Sequence, residues 1–428
     1  MLASACLAAA CSAGPGKPVP VASACCGGAV LANGLRIAER YRVAAITSRK
    51  FNHADYWAAL APSLASSALR TEVVGRSMLG REIRTVTFGT GPVRVLLWSQ
   101  MHGDESTASM ALADIFRFLA EGADDPLRTR LQERLTIVFV PMLNPDGAEL
   151  FQRENAAGID VNRDARRLVT PEAQTLKAVR DRLRPDFGFN LHDQGARTRV
   201  GAAGLQSAIA LLAPAFDSSR SWSTSRSSAR LVAATVAQLL GQVIGGRIAK
   251  YDDTFNPRAF GDLMQQWGTS TVLIESGALP GDPGKQRLRA LNVAAILGAL
   301  DAIATRSYRG ADPDAYERLP YNTSGASDLL ITGGRLVLPG QPPLAADLAV
   351  NYEDAVARTG GRIRDVGDLQ GAIALDTLQA GGLYIHPDTT TLTTGPGGRW
   401  LRIGARAVLD IRRGADPSSE LVRHIGGP

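Results

Sequence analysis

Three apolar runs in this chain each deliver a histidine or an acid at their carboxyl ends. Residues 93–98 lead into Ser99-Gln100-Met101-His102-Gly103-Asp104-Glu105, residues 187–191 lead into His192, and residues 271–274 lead into Glu275. Short apolar runs bounded by turn signals read as buried strands. In open α/β sheets, ligand sites gather at the carboxyl ends of the strands. The polar residues at these three ends therefore point to one shared site. The chain has only five histidines, so two of them in such settings are informative.

The remaining pattern fills in the fold. Residues 71–75 and 82–89 read as strands joined by a turn at Met78-Leu79-Gly80, and 135–141 reads as a central strand. Apolar residues at helical spacing predict helices over 107–121, 171–183, 226–242 and 285–304. Strands alternating with helices predict an α/β fold with a mixed central sheet flanked by helices on both faces. The expected domain covers residues 35–305. Residues 306–328 are polar and turn-rich and read as a linker. Residues 329–428 carry short apolar runs between Gly, Pro and Asp, which predicts a small β-rich module. His386 and His424 stand alone there and read as structural or surface residues, and His53 reads as a helix-start or packing residue.

Composition removes several function classes. Net charge is +6 without a long basic block, which argues against a nucleic-acid partner. All four cysteines (Cys6, Cys11, Cys25 and Cys26) lie in the first 26 residues. The body therefore has neither a disulfide framework nor a cysteine zinc site, and any metal there must use His, Asp or Glu. Residues 1–28 read as a leader similar to the tail of a secretory signal, which predicts a periplasmic or secreted protein. Cys11 after Ala8-Ala9-Ala10 makes a lipid anchor an option, and a cytoplasmic location is the alternative. No later apolar run is expected to span a bilayer.

His102, Glu105 and His192 form a donor set suited to one catalytic zinc, with water in the fourth position. Zinc lowers the pKa of such a water to about 7 and polarises the carbonyl under attack. Glu275 suits a general base that takes the water's proton and passes it to the leaving amine. Asn144-Pro145-Asp146-Gly147 reads as a turn after the central strand. Downstream, Asn162 and Arg163 suit a substrate carboxylate, which a guanidinium can fork. Arg153 suits the oxyanion of a tetrahedral intermediate. Asp160 suits an acceptor that orients a ligating imidazole. The plainer options are that Arg163 pairs with Asp160 or Asp164, and that Arg153 also forms a structural ion pair. Arg258 reads as a surface residue, or as one lining a side-chain pocket.

The ordered set H-x-x-E, N-P-D-G, Arg, D-x-N-R, His and E-S-G resembles the zinc metallocarboxypeptidase family over residues 40–305. The resemblance implies zinc ligands His102, Glu105 and His192, with Asp160 supporting His102. It implies that Arg153 polarises the scissile carbonyl, that Asn162 and Arg163 hold the terminal carboxylate, and that Glu275 is the general base and acid. It also implies a mobile tyrosine closing over the substrate, for which Tyr251 is the candidate. The stretch from Arg153 to Asn162 is shorter than in digestive carboxypeptidases. Asp164-Ala165-Arg166-Arg167 stands where those enzymes have an aromatic residue, and the body lacks cysteine. These departures imply a bacterial-type branch.

The function expected is hydrolysis of the C-terminal peptide bond of peptides with a free carboxylate. One alternative is a zinc-dependent deacylase of small N-acyl amino acids, as in the desuccinylase and aspartoacylase branch. Another is a non-catalytic binding scaffold whose working part is the C-terminal module.

Overall fold

The computed structural model describes residues 22–202, 204–396 and 398–426. Most of the leader expected over residues 1–28 lies outside them. Its last residues open a helix, α1 (Ala22–Arg40), whose Leu31, Ile37 and Ala38 enter the main core. The large domain thus begins before residue 35.

The strands in chain order are β1 (Arg70–Arg76), β2 (Glu82–Phe88), β3 (Val93–Ser99), β4 (Leu135–Val140), β5 (Phe187–Asp193), the short β6 (Arg199–Val200), β7 (Ile209–Leu212), β8 (Ile248–Lys250) and β9 (Ser270–Ser276). Eight of them form one mixed sheet in the order β1-β2-β4-β3-β5-β9-β7-β8. The central strands β4, β3, β5 and β9 are parallel, and the β1–β2, β2–β4 and β7–β9 pairs are antiparallel.

Side chains alternate across this sheet, as the period of a strand requires. Val95 and Leu97 of β3 join one apolar cluster, while Leu96 and Trp98 join the other. The first cluster is closed by α1, α2 (His53–Leu64), α3 (Thr107–Glu121) and α4 (Pro126–Arg134). The second is closed by α6 (Pro171–Leu183), which follows α5 (Pro145–Leu150). Next come α7 (Thr224–Ile244) on the first face, α8 (Phe260–Gln266) on the second, and α9 (Gln286–Thr305) on the first. Each fully buried Leu or Phe stabilises such a layer by about 1.5–3 kcal/mol. The fold is therefore an α/β sheet with helices on both faces.

Helix α9 corrects one expectation. By length and composition it is apolar enough to cross a bilayer, but 78% of its apolar window is buried inside the fold. It packs against α1, α3 and α7, which explains an apolar surface on nearly every side. Arg289 of α9 is buried and grips Asp114 of α3 through two bonds of 2.7 and 2.5 Å. The same guanidinium holds the carbonyls of Val43 and Ile46. One buried ion pair thus fastens two helices and the segment leading to α2.

Residues 306–328 are not a free tether. Tyr308 and Tyr316 are buried in the main core, and the Tyr316 hydroxyl accepts a bond from the Ala213 amide. Strand β10 (Asn322–Thr323) pairs with β6. Two aromatic anchors outweigh the polar composition of this stretch. Beyond it, Ser327–Thr332, Asp347–Asp354, Thr359–Gly367 and Ala374–Gln379 form a four-stranded sheet. A second small sheet includes Tyr384–Pro387 and Leu409–Arg412, and the two bury their own cluster around Ile331, Val350, Ile385 and Ile411. His386 bonds the Gly414 carbonyl, and His424 bonds Asp410, both partners belonging to the module itself.

Candidate active site

The loop after β3 is built to hold two polar side chains inward. Gln100 has a left-handed backbone (φ 50°), uncommon for a residue with a Cβ, and its side-chain amide donates to the Gly103 carbonyl at 2.9 Å. The loop is pinned to the segment after β4 by Leu143 N to Ser99 O and Asn144 N to Gln100 O. A Cβ on Gly103 would lie 1.9 Å from the Gly147 carbonyl carbon. Only glycine permits this contact between His102 and Glu105. The Asn144-Pro145-Asp146-Gly147 stretch is the start of α5 and not a bare turn: the Asn144 side chain caps it by accepting from the Gly147 amide at 2.9 Å.

His192 sits at the end of β5, in direct register with Glu275 on parallel β9. This pairing brings a third donor and a further carboxylate to the same level of the sheet. His102 Nδ1 lies 2.7 Å from Glu105 Oε1, and His192 Nδ1 lies 2.6 Å from Glu105 Oε2. All three residues are buried, and one donor atom from each lies within 4.8 Å of the other two. Two imidazole nitrogens and a carboxylate at this spacing fit a divalent cation such as zinc. Behind His102, its Nε2 meets Asp160 Oδ1 at 3.0 Å, which fixes the ring as a carboxylate partner does at metal centres.

Asp160 has a second task. Its Oδ2 receives Arg153 Nε and Nη2 at 3.1 and 2.9 Å, while Arg153 Nη1 reaches Glu105 at 3.2 Å. Arg153 is thus aligned beside the cluster by an ion pair, with its side chain still partly open to solvent. Asp160 Oδ1 also accepts from the Asn162 amide, and the Asn162 side chain accepts from the Phe260 amide at 2.9 Å. Arg163 forms no ion pair among the described residues. Asp164 instead caps the turn into α6 by accepting from Thr170, and Arg258 donates to the Arg163 carbonyl from an exposed position. Neither Asp160 nor Asp164 neutralises Arg163.

These residues surround one cavity of about 550 Å³. His102, Glu105, Arg153, Asn162, Arg163, His192, Tyr251 and Glu275 all line it. Burial pulls the His102 ring toward neutrality, but Glu105 and Asp160 outweigh it and push the pKa up to about 9. Burial also raises Glu105, and the two histidines overcome this and hold it well below the usual carboxylate range. Burial keeps His192 below its ordinary value. Glu275 is raised far above a normal glutamate, first by burial and then by the charge of Glu105. Glu275 and burial together push the Tyr251 phenol up to about 12, so it stays a hydrogen-bond donor.

Several lining residues carry no motif. Asn190 is buried in β5 two positions before His192, hence on the same side of the strand, and its Oδ1 has no partner. A polar residue inside an apolar strand was the available cue. Asp262 lines the cavity from α8 and accepts from the Asn256 amide at 2.9 Å. Asn322 and Ser324 come from the expected linker, and Asn322 donates to Gln194 at 3.0 Å. No local pattern marks these last three, because only tertiary packing brings them in.

A buried two-histidine, one-glutamate cluster at the parallel strand ends of an α/β sheet is an arrangement suited to holding a divalent cation. Residues 55–199 match the sequence profile of the family described as zinc carboxypeptidase. Carboxypeptidase 2 of Trichophyton tonsurans is 29% identical over 109 residues, which are 26% of this chain and 20% of the fungal protein. An uncharacterised protein of Zymomonas mobilis is 27% identical over 146 residues, 33% of this chain and 38% of the other. The chain thus spans about a fifth of the length of the fungal relatives it matches. A metallo-carboxypeptidase of Burkholderia cenocepacia superimposes over 60% of this chain and 70% of its own, with a TM-score of 0.49 and 18% identity.

Proposed function

We propose that this chain is a zinc-dependent carboxypeptidase that hydrolyses the C-terminal peptide bond of peptides. In this reading His102, Glu105 and His192 hold one zinc ion. When bound, the ion would supply Lewis-acid chemistry, lowering the pKa of water and polarising a carbonyl.

The observation that carries the reading is Arg163. A cation lining a partly closed cavity, with no acidic partner among the described residues, suits an anionic ligand group. Arg163 forks the terminal carboxylate of the substrate, and the Asn162 amide, fixed by the Phe260 N–H, completes the clamp. Arg153, aligned by Asp160, donates to the scissile carbonyl oxygen as negative charge builds there. Glu275 takes a proton from the attacking water and delivers it to the leaving amine. Tyr251 keeps its phenolic proton and donates to the peptide over the cavity. Export, suggested by the leader-like composition of residues 1–28, completes the proposal.

The test is a matched set of peptides with free and amidated C-termini, assayed by mass spectrometry with and without a zinc chelator. Loss of one terminal residue, abolished by amidation and by chelator, is expected. Release of the acyl group from N-acyl amino acids with peptides left intact would replace this reading by a deacylase. No turnover of either substrate class would leave a binding scaffold.

A further inference from the structure

A second cavity of about 840 Å³ opens directly from the first. The two share Glu105, Arg153, Asp193, Gln194 and Gly195. One wall of the second cavity belongs to the large domain and includes Lys50 and Phe151. The opposite wall belongs to the C-terminal module, from Glu353, Thr359 and Arg406. The module is fastened in place there. Arg49 donates to Asp354 at 2.6 Å, and Arg197 holds Asp328 at 2.8 Å as well as the Tyr352 carbonyl.

We propose that the module is the outer wall of a substrate groove, which takes the residues upstream of the scissile bond and favours acidic side chains. The inference rests on the carboxypeptidase reading. In that reading the terminal residue occupies the Arg163 side of the first cavity. The chain of a longer peptide must leave past the metal ligands, and the second cavity opens beside Glu105 and Arg153. Charge selects its occupant. Glu353 is bonded by Arg362 at 2.6 Å, Asp354 by Arg49 and Asp193 by Lys285, while Asp104, next to Glu105 in the chain, also lines the cavity and forms no ion pair among the described residues. Lys50 is 56% exposed and only 3.6 Å from that already paired Asp354. Arg406 is exposed and has no ion pair among the described residues. The groove therefore holds two cations without full partners, one on each wall, beside the unpaired Asp104. Lys50 also stands over the Phe151 ring at 5.1 Å, which fixes its position.

The experiment compares three substrates with one terminal dipeptide. They are the N-blocked dipeptide itself and two heptapeptides carrying either Glu or Lys at the third to fifth residues from the C-terminus. The 428-residue chain should cleave the Glu heptapeptide with a kcat/KM about tenfold above the Lys heptapeptide, a ratio equivalent to about 1.4 kcal/mol. The double variant Lys50→Gln/Arg406→Gln should bring that ratio near unity while cleaving the blocked dipeptide at the wild-type rate. The dipeptide rate also reports that the variant is folded and its centre intact. Equal cleavage of both heptapeptides by the wild type, or an unchanged ratio in the double variant, overturns the groove alone. Failure to cleave any of the three overturns the carboxypeptidase reading itself, and the groove with it.

Discussion

His102 and His192 come from different strand ends and turn their Nδ1 atoms onto opposite oxygens of one carboxylate, Glu105, at 2.7 and 2.6 Å. The protonation of this cluster follows from its surroundings. Burial opposes a charge on His102, but Glu105 and Asp160 prevail and lift it to about 9, while His192 stays below its ordinary value. Near neutral pH His102 is therefore held as the imidazolium, and a bound cation must displace one of its two ring protons. Zinc binding at pH 7 is expected to release about one proton, and apparent affinity should weaken about tenfold for each pH unit below about 9. Calorimetry in two buffers of different ionisation enthalpy measures the proton directly. Binding without proton release would contradict this account.

Glu275 stands in register beside His192 but makes no hydrogen bond to the three-residue cluster. Its removal should therefore spare the metal and stop the chemistry. Glu275→Gln is expected to lower kcat about 10²- to 10⁴-fold with zinc still stoichiometric by elemental analysis. A variant with near-wild-type turnover would remove Glu275 from the mechanism.

Asp160 links the metal cluster to the oxyanion group, because one of its oxygens faces His102 and the other faces Arg153. Asp160→Asn should weaken zinc binding about 10- to 100-fold, the usual effect of losing a partner behind a ligating imidazole. At saturating zinc it should still lower kcat, since Arg153 loses its alignment. Full activity once zinc is restored would limit Asp160 to supporting His102.

The polar strand ends were legible because each follows an apolar run long enough to mark a buried strand. Residues 107–121 and 171–183 match observed helices, since helical spacing and a starting proline are local features. Helix α1 was hidden by the small-residue composition it shares with a leader. Strands β7 and β8 are four and three residues long, too short to show a period. Asp262 and Asn322 reach the cavity only through packing, so no spacing in the sequence announces them. The helix α5 at Asn144-Pro145-Asp146-Gly147 reads as a turn because a capping Asn followed by Pro opens turns and helices alike.

Stability has its own test in Asp114 and Arg289, whose side chains are each 1% exposed. Removing the acid alone strands a buried guanidinium. Asp114→Ala should destabilise the fold by about 3–5 kcal/mol in urea unfolding. Asp114→Ala/Arg289→Met should recover part of that loss, because no uncompensated charge remains. A double variant less stable than the single one would mean that the carbonyls of Val43 and Ile46 matter more than the ion pair.

In the carboxypeptidase reading, Asp262 is expected to bias which terminal residue the cavity prefers. Burial raises this carboxyl to about 7, and beyond the Asn256 amide it has no polar partner from outside its own backbone. Asn190 Oδ1, which has no partner, belongs to a residue lining the same cavity, so Asp262 has one donor there and Asn190 Oδ1 has none. A terminal Lys or Arg side chain would supply further donors, and buried polar groups left unpaired discriminate strongly against a substrate that lacks the matching group. Peptides ending in Lys or Arg should be cleaved faster than those ending in Leu, and Asp262→Asn should reduce that preference about tenfold or more. The sign of the pH effect follows from the raised value. Asp262 is neutral below about 7 and anionic above it, so the Lys-to-Leu ratio of kcat/KM should rise between pH 6 and pH 8. The same ratio in Asp262→Asn should be flat over that range, and a wild-type ratio that is equally flat would remove Asp262 from substrate selection.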